Sequence, residues 1–346
     1  MERKLVRCLA LAAVLLGARA AHAQAPTSAE ELRQAPVYRS LVEALSEPDR
    51  VYRLDLRDDR ELTALPPEIA RLVHLQELNL QDTRIAGLPA EMGRLRSLRH
   101  LSLQHLGEPL ETLRALPPEI GELDQLETVN LIGLPNLDFA GTFKILARLP
   151  RLRNLPLMNN RLRTLPEEVR GLRGLEMIWL GRNPDLDLAN TFTKLANLPK
   201  LRQLGLAGNR HRSLPPELGE LKALRHMWLA GNRLETWRET SAPELTSLVF
   251  KDNQLTRLPA SLTGQLRLES LSLATNPDLD LGHALPVLGR LEALQHLDLR
   301  DCDLSALPED LAPLRRLKEL DLRGNALPDR ERLRLQKSLA DTKIHF

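Results

Sequence analysis

Apolar residues recur along almost the whole chain in the order Leu-x-x-Leu-x-Leu-x-x-Asn, and an uninterrupted copy runs from Leu201 to Asn209. The inner pair, Leu204 and Leu206, has the two-residue period that puts both side chains on one face of a strand. Equivalent pairs stand at Leu54/Leu56, Leu78/Leu80, Leu101/Leu103, Val129/Leu131, Leu155/Leu157 and Ile178/Leu180. Beyond the central copy they continue at Met227/Leu229, Leu248/Phe250, Leu271/Leu273, Leu297/Leu299 and Leu320/Leu322. Successive pairs are 21 to 28 residues apart, the length of repeat in which one strand is followed by one return segment. The pattern therefore predicts an α/β solenoid of about twelve rungs, with a concave parallel β-sheet, convex short helices and turns, and terminal helical caps.

The segments after the strands read Leu65-Pro66-Pro67-Glu68-Ile69, Leu116-Pro117-Pro118-Glu119-Ile120 and Leu214-Pro215-Pro216-Glu217-Leu218. Over residues 51–328 the chain resembles the leucine-rich repeat family, in the LPxEI variety of Ras-pathway scaffolds, plant intracellular repeats and many bacterial proteins. The resemblance implies a leucine-rich repeat arc used for protein interaction. Asn160, Asn183, Asn209, Asn232, Asn253, Asn276 and Asn325 fill the closing slot, where a carboxamide both donates to and accepts from turn backbone. Residues 24–50 form an expected amino-terminal linker and capping helix, with Val37, Leu41, Val42 and Leu45 at helical spacing, and 329–346 a carboxy-terminal cap ending in a strand. Three longer rungs share Leu/Asn-Pro-Asx-Leu-Asp, as in Asn183-Pro184-Asp185-Leu186-Asp187. Their aspartates alternate with core leucines, and no glycine-rich calcium repeat accompanies them, so no metal is expected. Phe143 and Phe192 are expected to fill the core beneath a longer convex turn.

Residues 1–23 form a separate segment. Arg3, Lys4 and Arg7 precede an apolar run from Cys8 to Leu16, and Ala21-His22-Ala23 supplies the small residues of a cleavage site. The apolar run is too short to span a bilayer, which takes about 20 residues, so a secretory signal is expected, with a periplasmic or extracellular product. Cleavage removes four basic residues and one acid, and shifts the formal net charge from +2 to about −1. With no block of like charge, neither nucleic acid nor stable membrane insertion after cleavage is expected. Only Cys302 remains, so stability must come from packing.

No catalytic constellation emerges, and neither enzymatic activity nor a cofactor is expected. Cys302 stands in an asparagine slot, which suits an inert structural thiol. His100, His226 and His296 share one outward column but lie five and three rungs apart, about 24 and 14 Å at the strand spacing. His211 replaces a turn leucine and is expected to be partly exposed. The chain has only ten aromatic residues besides histidine. Trp237 is expected in the core, whereas Trp179 and Trp228 stand between paired strand apolars and must face outward. Gly205 lies between them and leaves a gap of about 10 Å.

The candidate partner-binding patch comprises Met158, Met177, Trp179, Gly205, His226, Trp228 and Val249, apolar at its centre with charged residues toward the sheet ends. Two readings stay open: a partner side chain enters the gap, or the indoles lean over Gly205 and cover each other. The expected function is non-enzymatic recognition of a protein or peptide, with envelope glycan or peptidoglycan binding as the alternative. Intact-mass measurement on the exported protein should show a chain beginning at Gln24. Recovery of full-length protein in membranes would contradict the signal reading.

Overall fold

The computed structural model describes residues 28–107, 113–237 and 242–346. The expected signal segment and the side chain of Trp237 lie outside the described residues. Twelve three-residue strands, from Arg53–Asp55 to Glu319–Asp321, stack in chain order into one parallel sheet. Their central residues, such as Leu54, Ile178, Leu204 and Leu320, are at most 2 % exposed, while the flanking residues look out from the concave face. Strands Val37–Tyr38 and Lys343–His345 extend the sheet to fourteen, pairing with the first and last rungs.

The ends differ in how far they follow the expected caps. Helix Asp329–Ser338 and the last strand match the expectation at the carboxy terminus, with Leu335 and Leu339 buried. At the amino-terminal end, helical structure covers Ala29–Gln34 and Leu41–Ser46, whereas Val37–Tyr38 are extended. An open sheet edge offers unpaired backbone groups to any extended segment, and that pairing outweighs the helical spacing of Val37 with Leu41.

Among the regular rungs, the convex structure follows the spacing, although the 28-residue rung from Leu101 to Val129 shows a 3-10 turn, Pro118–Glu122, among its described residues. Between the twelve rung strands, a spacing of 23 or 24 residues goes with a short 3-10 turn such as Pro67–Arg71 or Glu167–Gly171. Three extra residues add nearly one α-helical turn, and the 26-residue rungs carry the eight-residue helices Phe139–Leu146, Leu188–Leu195 and Leu281–Leu288. The aspartates that might have suggested calcium serve these helices. Asp138, Asp187 and Asp280 accept amide hydrogen bonds from Gly141, Asn190 and His283 at 3.1, 3.1 and 3.2 Å, an N-cap typically stabilising by about 1 kcal/mol. Phe143 and Phe192 fill the core beneath the first two helices, fully buried.

The asparagine slot holds successive rungs together. Oδ1 of Asn183 accepts from the amides of Asn160 and Leu162 at 2.9 and 3.1 Å, while its Nδ2 donates to the Leu157 and Leu180 carbonyls at 3.1 and 3.0 Å. Asn209, Asn232, Asn253, Asn276 and Asn325 also donate across rungs. Cys302 takes its place in this row. Its thiol donates to the Leu273 carbonyl at 3.3 Å, and its amide donates to Oδ1 of Asn325 at 3.0 Å. Burial pushes the thiol pKa up, away from a reactive thiolate. The residue before each slot commonly takes positive φ: Gly208 and Gly231 do so at 72° and 64°, but Arg182 and Thr275 carry side chains at 55° and 56°.

One turn breaks the apolar rule at a cost. His211 stands where Leu162, Leu234 and Leu255 are buried in other rungs, and its Nε2 is buried without a hydrogen-bond partner. Burial lowers its pKa from 6.5 to about 4. The unfolded chain therefore binds the proton more tightly, so stability should fall as pH drops from above 6.5 toward 4 and level off below. At pH about 5 the loss is on the order of 2 kcal/mol. The carboxylates held low by arginine partners lose their contribution only nearer pH 4, below most of this window. Denaturant melts of wild type and His211→Leu at pH about 5 and about 7.5 should show a flatter profile in the variant. Parallel profiles would contradict a neutral imidazole with a buried Nε2.

Candidate functional site

Strand register fixes the central patch. Pro156 pairs with Trp179, Trp179 with Gly205, Gly205 with Trp228 and Trp228 with Val249, while Met177, Gln203 and His226 align in the neighbouring column. Both tryptophans, both methionines, His226 and Val249 are half-buried. The sequence-predicted residues are thus brought together on one face, with Met158 just beyond the end of the fifth strand. His100 and His296 stay in the column of His226 but in the third and eleventh rungs.

The expected gap over Gly205 is filled from within. A Cβ placed on Gly205 would collide with Cε3 of Trp179 and stand 2.7 Å from its Cζ3. The indole therefore lies directly on the glycine backbone. Its centroid is 4.9 Å from that of Trp228 with the rings tilted by 34°, and the His226 ring stacks on Trp228 at 6.1 Å. Gly205 is buried as a result. Sequence reasoning fixed the column but not the side-chain torsions. Tilted aromatic pairs contribute about 0.5–1.5 kcal/mol beyond their area, enough to bring Trp179 across an adjacent glycine. The rings form a ready-made platform instead of two walls of a slot.

Toward both ends the sheet turns ionic, and several of its charges pair with one another. Arg57 binds Asp55 at 2.5 Å and Arg53 binds Glu77 at 2.6 Å in the first rungs. In the last rungs Arg300 binds Asp298 at 2.9 Å, Arg323 binds Asp321 at 2.6 Å, and His345 meets Glu319 at 2.6 Å. Burial pushes the Asp298 carboxyl up, but hydrogen bonds from Arg300 and Ser272 outweigh it and hold the group below the usual carboxylate range. The Arg323 hydrogen bond does the same for Asp321.

The central rungs differ. Arg202 and Arg225 at the strand starts, and Arg182, Arg210 and Arg233 beyond the strand ends, are exposed and have no ion-pair partner among the described residues. Sequence reading missed this set because its members are spread through the chain and form no charge block. The signal is visible only when residues flanking the asparagine slots and strand starts are read as columns.

The architecture defines a leucine-rich repeat arc with an aromatic platform at the middle of its concave sheet. Two leucine-rich repeat family models match the chain, at residues 49–105 and 293–314. Among solved structures, an internalin of Listeria monocytogenes aligns over 91 % of this chain and 88 % of its own, at 19 % identity and a TM-score of 0.59. A leucine-rich repeat protein of Leptospira interrogans is 26 % identical over 90 % of this chain and 100 % of its own, with a TM-score of 0.41. The plant peptide hormone receptor RGFR1, in complex with RGF2, is 22 % identical over 84 % of this chain and 46 % of its own, at 0.48. Of these three, only the internalin superposes closely enough to bear on the fold. No curated protein matches.

The ring placement has a spectroscopic signature. Gly205→Val must displace the Trp179 indole, so the exciton signal of paired indoles in circular dichroism should be lost, as it should in Trp179→Ala and Trp228→Ala. Overpacking at this site should cost about 1–3 kcal/mol. An unchanged exciton signal in Gly205→Val would contradict the placement of Trp179 over residue 205.

Proposed function

We propose that the protein is an exported, non-enzymatic recognition protein that holds a protein or peptide segment on Met158, Met177, Trp179, Gly205, His226, Trp228 and Val249. The observation that carries this reading is the half-exposed indole pair at the centre of a sheet whose ends are ionic. A contiguous apolar patch with a polar rim is the usual anatomy of an interface, and buried tryptophan is among the commonest sources of binding energy. The leucine-rich repeat fold is commonly a protein-binding scaffold, an association of fold with use. Export is supported by the charged, apolar and small-residue regions of segment 1–23. Among the described residues no helix is long and apolar enough to cross a membrane.

Panning a displayed random dodecapeptide library on wild-type protein and on Trp179→Ala/Trp228→Ala tests the reading. Peptides retained by wild type should bind the double variant about thirtyfold more weakly, corresponding to about 2 kcal/mol. Loss of the ring pair should itself destabilise the fold by only about 0.5–1.5 kcal/mol. Peptides retained equally by both proteins, or by neither, would overturn the site.

A further inference from the structure

We infer that the occupant of the indole platform is a short acidic peptide segment carrying a large apolar side chain; this deepens the proposed function and rests on it. The inference comes from where arginines lack partners. Toward the ends of the sheet, carboxylates stand among the concave arginines: Arg53 pairs with Glu77 and Arg300 with Asp298, while Arg60 and Arg84, which form no ion pair among the described residues, line one hollow with Asp58 and Asp82. In the four rungs that hold the indoles, one rim carries Arg153, Arg202 and Arg225 and the other carries Arg182, Arg210 and Arg233. Only Arg153 among these has an ion-pair partner among the described residues, Glu176 at 3.7 Å. Rungs stack about 4.8 Å apart, so the second rim brings Arg182, Arg210 and Arg233 close together without a carboxylate partner, while on the first Glu176 stands between Arg153 and Arg202 and pairs with Arg153. Such a groove attracts and orients an anion.

The rim is also shaped for contact. Arg182 sits at positive φ, and a Cβ on Gly208 of the next rung would stand 3.3 Å from Cγ of Arg182. The arginine therefore runs across the neighbouring glycine, along the edge of the platform. Arg210 takes the same backbone region at φ 63°. Floor and rims then supply two different chemistries within one groove: aromatic faces for an apolar side chain and guanidinium groups for carboxylates, which they bind with charge-assisted hydrogen bonds.

Length selects among anions. From the fifth to the eighth strand the groove covers about 15 Å, the reach of roughly five extended residues. A longer uniform polyanion lying along the sheet would meet Asp298, Glu319 and Asp321 at one end and Asp55 and Glu77 at the other. A peptide with two or more acidic residues beside one apolar residue fits the cationic stretch and ends before those carboxylates. A nucleic acid is disfavoured further, since the two indoles lie tilted against each other and offer no series of separate platforms for successive bases.

The experiment starts from peptides captured in an indole-dependent way from the random dodecapeptide library. They should be enriched in Asp and Glu within about five residues of an aromatic or large aliphatic residue. A fluorescein-labelled member should bind at least about tenfold more weakly to Arg182→Asn/Arg210→Asn/Arg233→Gln, and weaken similarly between about 50 and 300 mM salt. Asparagine suits the positive φ at 182 and 210, and the triple lysine variant, which keeps the charge, should retain most of the binding. Melting curves of both variants establish that they are folded.

Indole-dependent peptides without acidic enrichment, or acidic peptides that bind the triple variant as well as wild type, would overturn the acidic occupant while leaving the platform as the binding site. Absence of any indole-dependent peptide would overturn both. A single-stranded oligonucleotide or an acidic oligosaccharide that displaces the labelled peptide, and itself needs both the indoles and the arginines, would replace the peptide as the occupant.

Discussion

A buried carboxamide that closes its own turn and that of the preceding rung is the constraint on which the molecule depends. Each rung of the solenoid leaves amides and carbonyls at the point where the strand turns toward the convex side, inside the core and away from water. Unpaired, each such group costs about 1–3 kcal/mol. From Asn160 onward one side chain per rung meets this need in two directions at once. Spacing, register and rung order then follow together, because a slipped rung breaks hydrogen bonds both within itself and with its neighbour. The first rungs solve the same problem with other side chains, partly within a turn and partly across to the next rung. Asp59 accepts from Glu61 and Leu62, the Thr83 hydroxyl donates to the Leu80 carbonyl, and Asp82 accepts from the Leu106 amide at 2.6 Å.

Function inherits this constraint through the concave columns. Since the sheet admits one residue per rung per column, two residues 49 positions apart in the chain, Trp179 and Trp228, stand two strands apart with Gly205 between them. No local property of either tryptophan specifies the pairing. The missing side chain at residue 205 allows it, and the register enforces it. The same logic makes Arg210 and Arg233 equivalent positions of successive rungs, each directly after a slot asparagine. A solenoid thus builds a compact surface from distant residues with little regard for the convex side, where 3-10 turns and eight-residue helices both occur.

What could be read from sequence follows the same division. The leucine period and the slot residues gave the strands, their order and the place of Cys302, since those depend on burial and backbone satisfaction, which a periodic pattern reports directly. Side-chain torsions are not periodic. Hence the column of Trp179, Gly205 and Trp228 was legible, while the choice between an open gap and indoles leaning over the glycine was settled only by the side-chain placement. Val37–Tyr38 were misassigned to a helix because local spacing carries no information about a sheet edge contributed by Arg53–Leu54. His211 is partly exposed as its place in the turn implies, but the burial of its Nε2 depends on the rungs above and below and is not legible locally. The cationic rims escaped a search for charge blocks because contiguity in a solenoid runs across rungs, not along the chain.

The filled gap changes the physical character of the platform without removing its use. Two indoles already in contact at 4.9 Å have surrendered much of their rotational freedom before any partner arrives. Ordering a rotamer-rich side chain at an interface costs about 0.5–1.5 kcal/mol, and a surface ordered in advance avoids that cost on binding. An open slot would have demanded that a partner ring enter and two indoles adjust. A tilted pair held on glycine needs only its outward faces to be covered. Shape selectivity is weaker on such a platform than in a slot, because a flat face accepts many apolar side chains. Discrimination must then come from the surrounding charges, and those are the arginines that the central rungs leave without partners.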